Sequence, residues 1–186
     1  MKNWLWLSAA VIALDQATKW LLLHLLEPFQ VLEVIPNLNL TLMFNRGAAF
    51  SFLAEAGGWQ RWLLAGFALL VTVGLIIWLL RLAQDERLLA AGLALIIGGA
   101  VGNLVDRVVF GHVVDFIQVY LPFIPLRLFN PWPAFNVADS AISIGVALLL
   151  LETLRAETRG EPRGEPRGEP RGEHRQRMPD SDNHKP

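Results

Sequence analysis

Cysteine is absent from this 186-residue chain. That excludes disulfides, a thiol nucleophile, cysteine-ligated zinc and lipid attachment to a cysteine of its own. Histidine occurs four times, as His24, His112, His174 and His184, and without His-Glu-x-x-His spacing. A zinc hydrolase of that design is therefore not expected, and neither a metal nor an organic cofactor is called for. Charge is scarce: 18% of residues are charged, about half of them after Leu151, and the net charge is −1. No basic patch is present, so nucleic acid is not an expected partner.

What remains is apolar. The chain is 53% hydrophobic with a mean hydropathy of +0.39, the composition of a multi-spanning membrane protein rather than a soluble core. Uncharged runs at Trp62 to Leu80 and Leu88 to Val105 are long enough to cross a bilayer as helices. Trp4 to Leu26 is a third span, interrupted by Asp15 and Lys19; Asn136 to Leu154 is a fourth, polar at its start and last turn. The first stretch resembles a signal peptide, yet the apolar pattern resumes after Lys19 without a small-x-small cleavage site, so a retained helix is expected. The fold class is thus an all-α membrane protein with four transmembrane helices at about 4–26, 62–80, 88–105 and 136–154.

Short connections set the direction. The 81–87 loop carries Arg81 and Arg87, the tail begins with Arg155 and Arg159, and the longer 27–60 connection holds only Arg46. This bias puts both termini in the cytoplasm. Asn45, Arg46, Asn103, Arg107, Asp115, Asn136 and Asp139 then all map to one outer face. Between 29 and 53, polar and apolar residues alternate around a Pro36-Asn37 turn, which reads as a small extracytoplasmic β-cradle. The 116–135 connection, broken by Pro122, Pro125, Pro131 and Pro133, reads as an interfacial loop or short helix. From Arg159 the unit Arg-Gly-Glu-Pro repeats three times, then Arg-Gly-Glu-His, so 155–186 is expected to be a disordered cytoplasmic tail.

The polar residues inside this apolar chain each admit two readings. Asp15 and Lys19, four apart on one helix face, are either a structural ion pair or functional groups. Asn103, Asp106 and Arg107 share a face at the outer end of the third span, and Asp106 beside Arg107 suggests a rigidifying salt bridge, with a substrate-facing role as the lesser reading. Asn136 and Asp139 match a capping box as well as a site. Asp115 lies in Val113-Val114-Asp115-Phe116 with no adjacent cation, so an ion pair does not explain it.

Five segments taken together resemble the lipoprotein signal peptidases (signal peptidase II), bacterial inner-membrane aspartic proteases. They are Asp15-Gln16-Ala17-Thr18-Lys19; Asn45-Arg46-Gly47-Ala48-Ala49-Phe50; Gly98 through Arg107; Val113-Val114-Asp115-Phe116; and Phe135-Asn136-Val137-Ala138-Asp139-Ser140. The resemblance covers about 4–154. It implies a four-helix fold with an outer cradle and Asp115 and Asp139 as a catalytic dyad. It further implies that Asp15, Lys19, Asn45, Gly47, Asn103, Arg107 and Asn136 support the site or the substrate. The implied substrate is a diacylglyceryl-modified prolipoprotein, met within membrane lipid by a monomeric enzyme and cut on the amino side of its lipidated cysteine. The segment between Asp115 and Asn136 is longer than that pattern leads one to expect. Two rivals stand beside this reading. A Ser/Lys hydrolase would use Ser51, Ser140 or Ser143, with Lys19 as the sole internal lysine. A small four-helix transporter would use Asp15 and Lys19 as a coupling pair.

Overall fold

The computed structural model describes residues 1–47, 57–123 and 130–158. A 3-10 turn at Lys2–Trp4 leads into helix α1 (Leu5–Leu25), followed by strands β1 (Val31–Ile35) and β2 (Leu38–Asn45). Helices α2 (Gln60–Arg81) and α3 (Arg87–Val109), strand β3 (Val113–Val119) and helix α4 (Val137–Thr158) complete the order. The repeat tail, Ala48, Ala49, Phe50, Ser51 and Pro125 lie outside the described residues, so the cradle is seen only as far as Gly47.

Three helices are long and apolar enough to cross a membrane: α2, α3 and the Val137–Arg155 part of α4, with mean hydropathies of 2.7, 2.1 and 1.8. Half of the α3 stretch is buried against 17% of the other two, which makes α3 the central helix. Side chains such as Phe67 and Leu70 on α2 and Leu150 and Leu154 on α4 stay exposed. An apolar surround suits that surface, and water does not. Helix α1 is built the other way round: its buried residues are Ser8, Asp15, Lys19 and Leu22, while Trp6, Leu14, Trp20 and Leu21 face out.

Glycine on α3 decides how closely its neighbours come. A Cβ on Gly102 would stand 2.6 Å from Asp15 Oδ2, and one on Gly99 would run into the Ala138 carbonyl. At one end of the bundle Leu79, Ala90, Leu93 and Ile97 form a core with Met1, Trp4 and Leu5 packed against it. At the opposite end Leu22 of α1 and Leu26 just after it pack on Leu42, Val114 and Phe116 of the sheet.

The sheet is antiparallel in the order β1-β2-β3. Its third strand occupies what the sequence pattern marks only as an outer connection, and includes Phe116 to Val119, where the prolines that follow predict a loop or short helix. The reason is burial on both faces. Five of the seven β3 residues are buried, so the period-two pattern that marks a half-exposed strand is missing. A register shift between Leu40 and Met43 sets Met43, not Leu42, opposite Asp115. Side chains alternate along a strand, so this one-residue slip brings Asn45 to the same face as Asp115.

Candidate active site

Strand β3 and the start of α4 are tied together just ahead of Asn136. Phe135 pairs with Ile117 as a one-residue bridge, its N–H donating to Ile117 O (3.0 Å) and its carbonyl accepting from Ile117 N–H (2.8 Å). Asn136 is then fully buried at the entrance to α4. Its Oδ1 accepts the Asp139 N–H (2.9 Å), and Asp139 Oδ2 accepts the Asn136 N–H (3.2 Å). That reciprocity is a capping box. The capping and site readings of Asp139 are therefore not alternatives, because the same residue also lines the cavity.

Asn136 holds the two aspartates in one network. Its Nδ2 donates to Asp115 Oδ1 (2.8 Å), with Asn103 Oδ1 at 3.1 Å and the Val114 carbonyl at 3.3 Å. Asn103 Nδ2 donates to Asp139 Oδ1 (2.8 Å). Asp115 is 4% exposed and also takes a hydrogen bond from the Asn45 side chain. Burial, and next the charge of Asp139, push the Asp115 carboxyl up to about 7, while Asn45, Lys19 and Asn136 act in the opposite direction. Two carboxylates so placed share a proton more readily than they both ionise.

A second group closes behind the first. Lys19 Nζ lies 2.8 Å from both Asp15 Oδ2 and Asp106 Oδ2 and donates to Asn103 Oδ1 at 3.1 Å. Lys19 is buried, and neither it nor Asp15 lines the cavity. Asp15 Oδ1 accepts the Ala138 N–H in the first turn of α4 (2.9 Å), and Asp106 Oδ2 accepts the Val114 N–H of β3 (3.0 Å). The expected Asp106–Arg107 salt bridge does not form. Asp106 turns inward to Lys19, whereas Arg107 lines the cavity and donates to the carbonyls of Gly47 (3.2 Å) and Asn103 (3.3 Å). Gly47 in turn donates its N–H to Asn45 Oδ1 (3.0 Å).

Two contributors were given no role from sequence. Gln16 Nε2 donates to Asp106 Oδ1 (2.8 Å), and a polar side chain within a span was a usable signal for it. Arg61 donates to the carbonyls of Arg107 and Val108, both at 2.6 Å, and so ties α2 to the end of α3.

Asp115, Asp139, Asn45, Asn103 and Arg107 all line one cavity of about 830 Å³, with Phe29, Trp132, Phe135, Ile142 and Ile144 among its apolar walls. Among the described residues no group of three or more His, Asp or Glu is arranged to hold a metal ion. The site offers paired carboxylates, amide donors, one cation and a greasy wall, a set suited to acid–base attack on an amide of an apolar substrate.

Residues 7–155 match the family described as signal peptidase (SPase) II. A lipoprotein signal peptidase of Pseudomonas fluorescens is 49% identical over 158 residues, covering 83% of this chain and 89% of that protein. One from Acinetobacter baylyi is 48% identical, with 83% of each covered. A bacterial membrane enzyme solved by the in meso method at 2.3 Å resolution is 29% identical with a TM-score of 0.74, over 89% of this chain and 95% of its own. With its three apolar helices and these bacterial relatives, the protein is an integral membrane protease, and the chain belongs to the signal peptidase II family.

Proposed function

We propose that this protein removes the signal peptide from diacylglyceryl-modified prolipoproteins, with Asp115 and Asp139 as an aspartic dyad cutting on the amino side of the lipidated cysteine. The observation that carries this is the meeting of both carboxylates on one apolar-walled cavity, joined through Asn136. Asp115, the more deeply held of the two, carries the shared proton. Asp139 takes a proton from a water as its oxygen attacks the scissile carbonyl, and Asp115 donates to the developing oxyanion. Collapse of the tetrahedral species breaks the C–N bond: one hydroxyl proton returns to Asp115 as the carbonyl re-forms, and the proton held by Asp139 leaves on the new amine.

Asn45, Asn103 and Asn136 fix the carboxylates, and Gly47 fixes Arg107 through its carbonyl. Arg107 supplies positive charge beside the cavity, while Asp15 and Lys19 hold the ends of α3 and α4 in place. Helix α1, about 31 Å long at 1.5 Å per residue, serves as a fourth span. Arg81 and Arg87 mark the cytoplasmic side of the inner membrane, which puts both termini inside and the cavity near the periplasmic face. The enzyme works as a monomer that meets its substrate by diffusion within membrane lipid.

The test is cleavage of a diacylated prolipoprotein by purified wild type, Asp115→Asn and Asp139→Asn. Loss of turnover in both variants, with folding retained, is expected. Turnover surviving in either one overturns the dyad.

A further inference from the structure

Helix α4 carries four hydroxyl side chains. Three return their hydroxyl to their own helix: Ser140 to the Asn136 carbonyl, Thr153 to that of Leu149 and Thr158 to that of Arg155, each at 2.9 Å. Such back-bonding is the usual resting place for serine and threonine in an apolar helix. Ser143 is different. It has no hydrogen-bond partner among the described residues, is exposed, and lines the cavity four residues on from Asp139, one turn deeper into the span. Its cavity neighbours Ile142 and Ile144 are apolar, so it is an isolated donor on a greasy wall.

We propose that Ser143 Oγ binds the substrate, donating a hydrogen bond to a main-chain carbonyl of the signal peptide about two residues on the amino side of the cleaved bond. This rests on the peptidase reading above. A scissile amide offered to a carboxylate pair must be extended, because a helical amide is already engaged by its own helix. Carbonyls just ahead of the cut then lose their helical partners inside hydrocarbon, where no water replaces them. Helix α4 runs inward from Asp139, the direction in which the amino-terminal side of the signal peptide lies. One helical turn advances about 5.4 Å, and an extended chain covers about 3.3 Å per residue, so Ser143 falls level with a carbonyl roughly two residues away.

The experiment compares wild type, Ser143→Ala and Ser143→Thr on two prolipoproteins, one with the natural diacylglyceryl group and one with both esters replaced by ethers. The loss of one neutral hydrogen bond predicts a KM raised about fivefold in Ser143→Ala, with kcat nearly unchanged and recovery in Ser143→Thr. The penalty should be the same on the ether-lipid substrate. An unchanged KM in Ser143→Ala overturns the inference while leaving the peptidase reading intact. A penalty that disappears on the ether lipid also overturns it, by assigning the hydroxyl to a lipid ester. Failure of wild type to cleave either substrate would remove both readings together.

Discussion

The four buried or half-buried aspartates at this end of the bundle fall into two pairs with different company. Asp15 and Asp106 share one ammonium, Lys19; their remaining oxygens accept from the Ala138 N–H and Gln16, and the Asp106 oxygen facing Lys19 also accepts the Val114 N–H. Asp115 and Asp139 accept from the side chains of Asn45, Asn103 and Asn136 and the Asn136 N–H. The first pair shares a cation and does not line the cavity. The second is oriented by neutral amides and opens onto it. A cation at bonding distance ties both side chains in place, which suits a fastener joining four elements. Amide donors fix position without settling protonation, which suits a pair that must pass one proton between them.

The contrast is broken most directly by removing charge from each pair in turn. Asp115→Asn and Asp139→Asn should lower cleavage by at least about a thousandfold, the scale seen when a group acting in the transition state is lost. Neither should lose stability in detergent. Asp15→Asn should do the reverse, losing stability first and activity only as far as α4 shifts. Equal activity losses at Asp15 and Asp139 without unfolding would erase the distinction.

Lys19→Met comes next. It leaves Asp15 and Asp106 buried together without their counter-charge, and breaking a buried pair of this kind typically costs about 3–5 kcal/mol. A large fall in the denaturation midpoint, or protein that does not survive purification, is expected. A substrate-binding lysine would instead raise KM and leave the midpoint alone.

Protonation gives a handle on Asp115. A carboxyl whose folded-state value is raised holds its proton more tightly when folded. Its contribution therefore favours the folded state below about 4, the usual carboxylate value, and that advantage is lost as pH rises to about 7. Asp115→Asn removes the dependence, so its melting temperature should improve relative to wild type across that interval and then level off. Cleavage by wild type should fall as pH passes about 7 and the shared proton is lost. Asn45→Ala, which deletes a hydrogen bond that holds the Asp115 value down, should move this alkaline limb to higher pH. A limb that stays in place would detach Asn45 from Asp115.

Much of this arrangement could be read before any coordinates. The apolar runs mark α2, α3 and α4 because a bilayer demands long uncharged helices, and the lone aspartates stand out against them. What sequence spacing could not supply was pairing. Asp106 sits next to Arg107, and only the turn of α3 toward α1 sends its carboxylate to Lys19 instead. The bulge between Leu40 and Met43 is equally invisible in composition, although it decides which β2 side chains face Asp115. Strand β3 escaped notice because a strand buried on both faces loses its alternating signature.

The smallest effect concerns a cation that pairs with carbonyls rather than carboxylates. Arg61 reaches across from α2 to the last turn of α3, where unsatisfied carbonyls and the helix dipole both favour positive charge. It also lies under Gly111, whose positive φ of 82° turns the chain toward β3, and its guanidinium stands 4.7 Å from the Trp62 ring. Arg61→Gln should therefore cost about 1 kcal/mol, well below the loss at Lys19, because Arg61 is half-exposed and water can take over the freed carbonyls. A drop of a few degrees in melting temperature, with cleavage within a few-fold of wild type, is the expected outcome. A tenfold loss of cleavage at unchanged stability would mean that Arg61 fixes the backbone of Arg107 for catalysis. The partition between fastening and reacting groups would then have to extend beyond the aspartates.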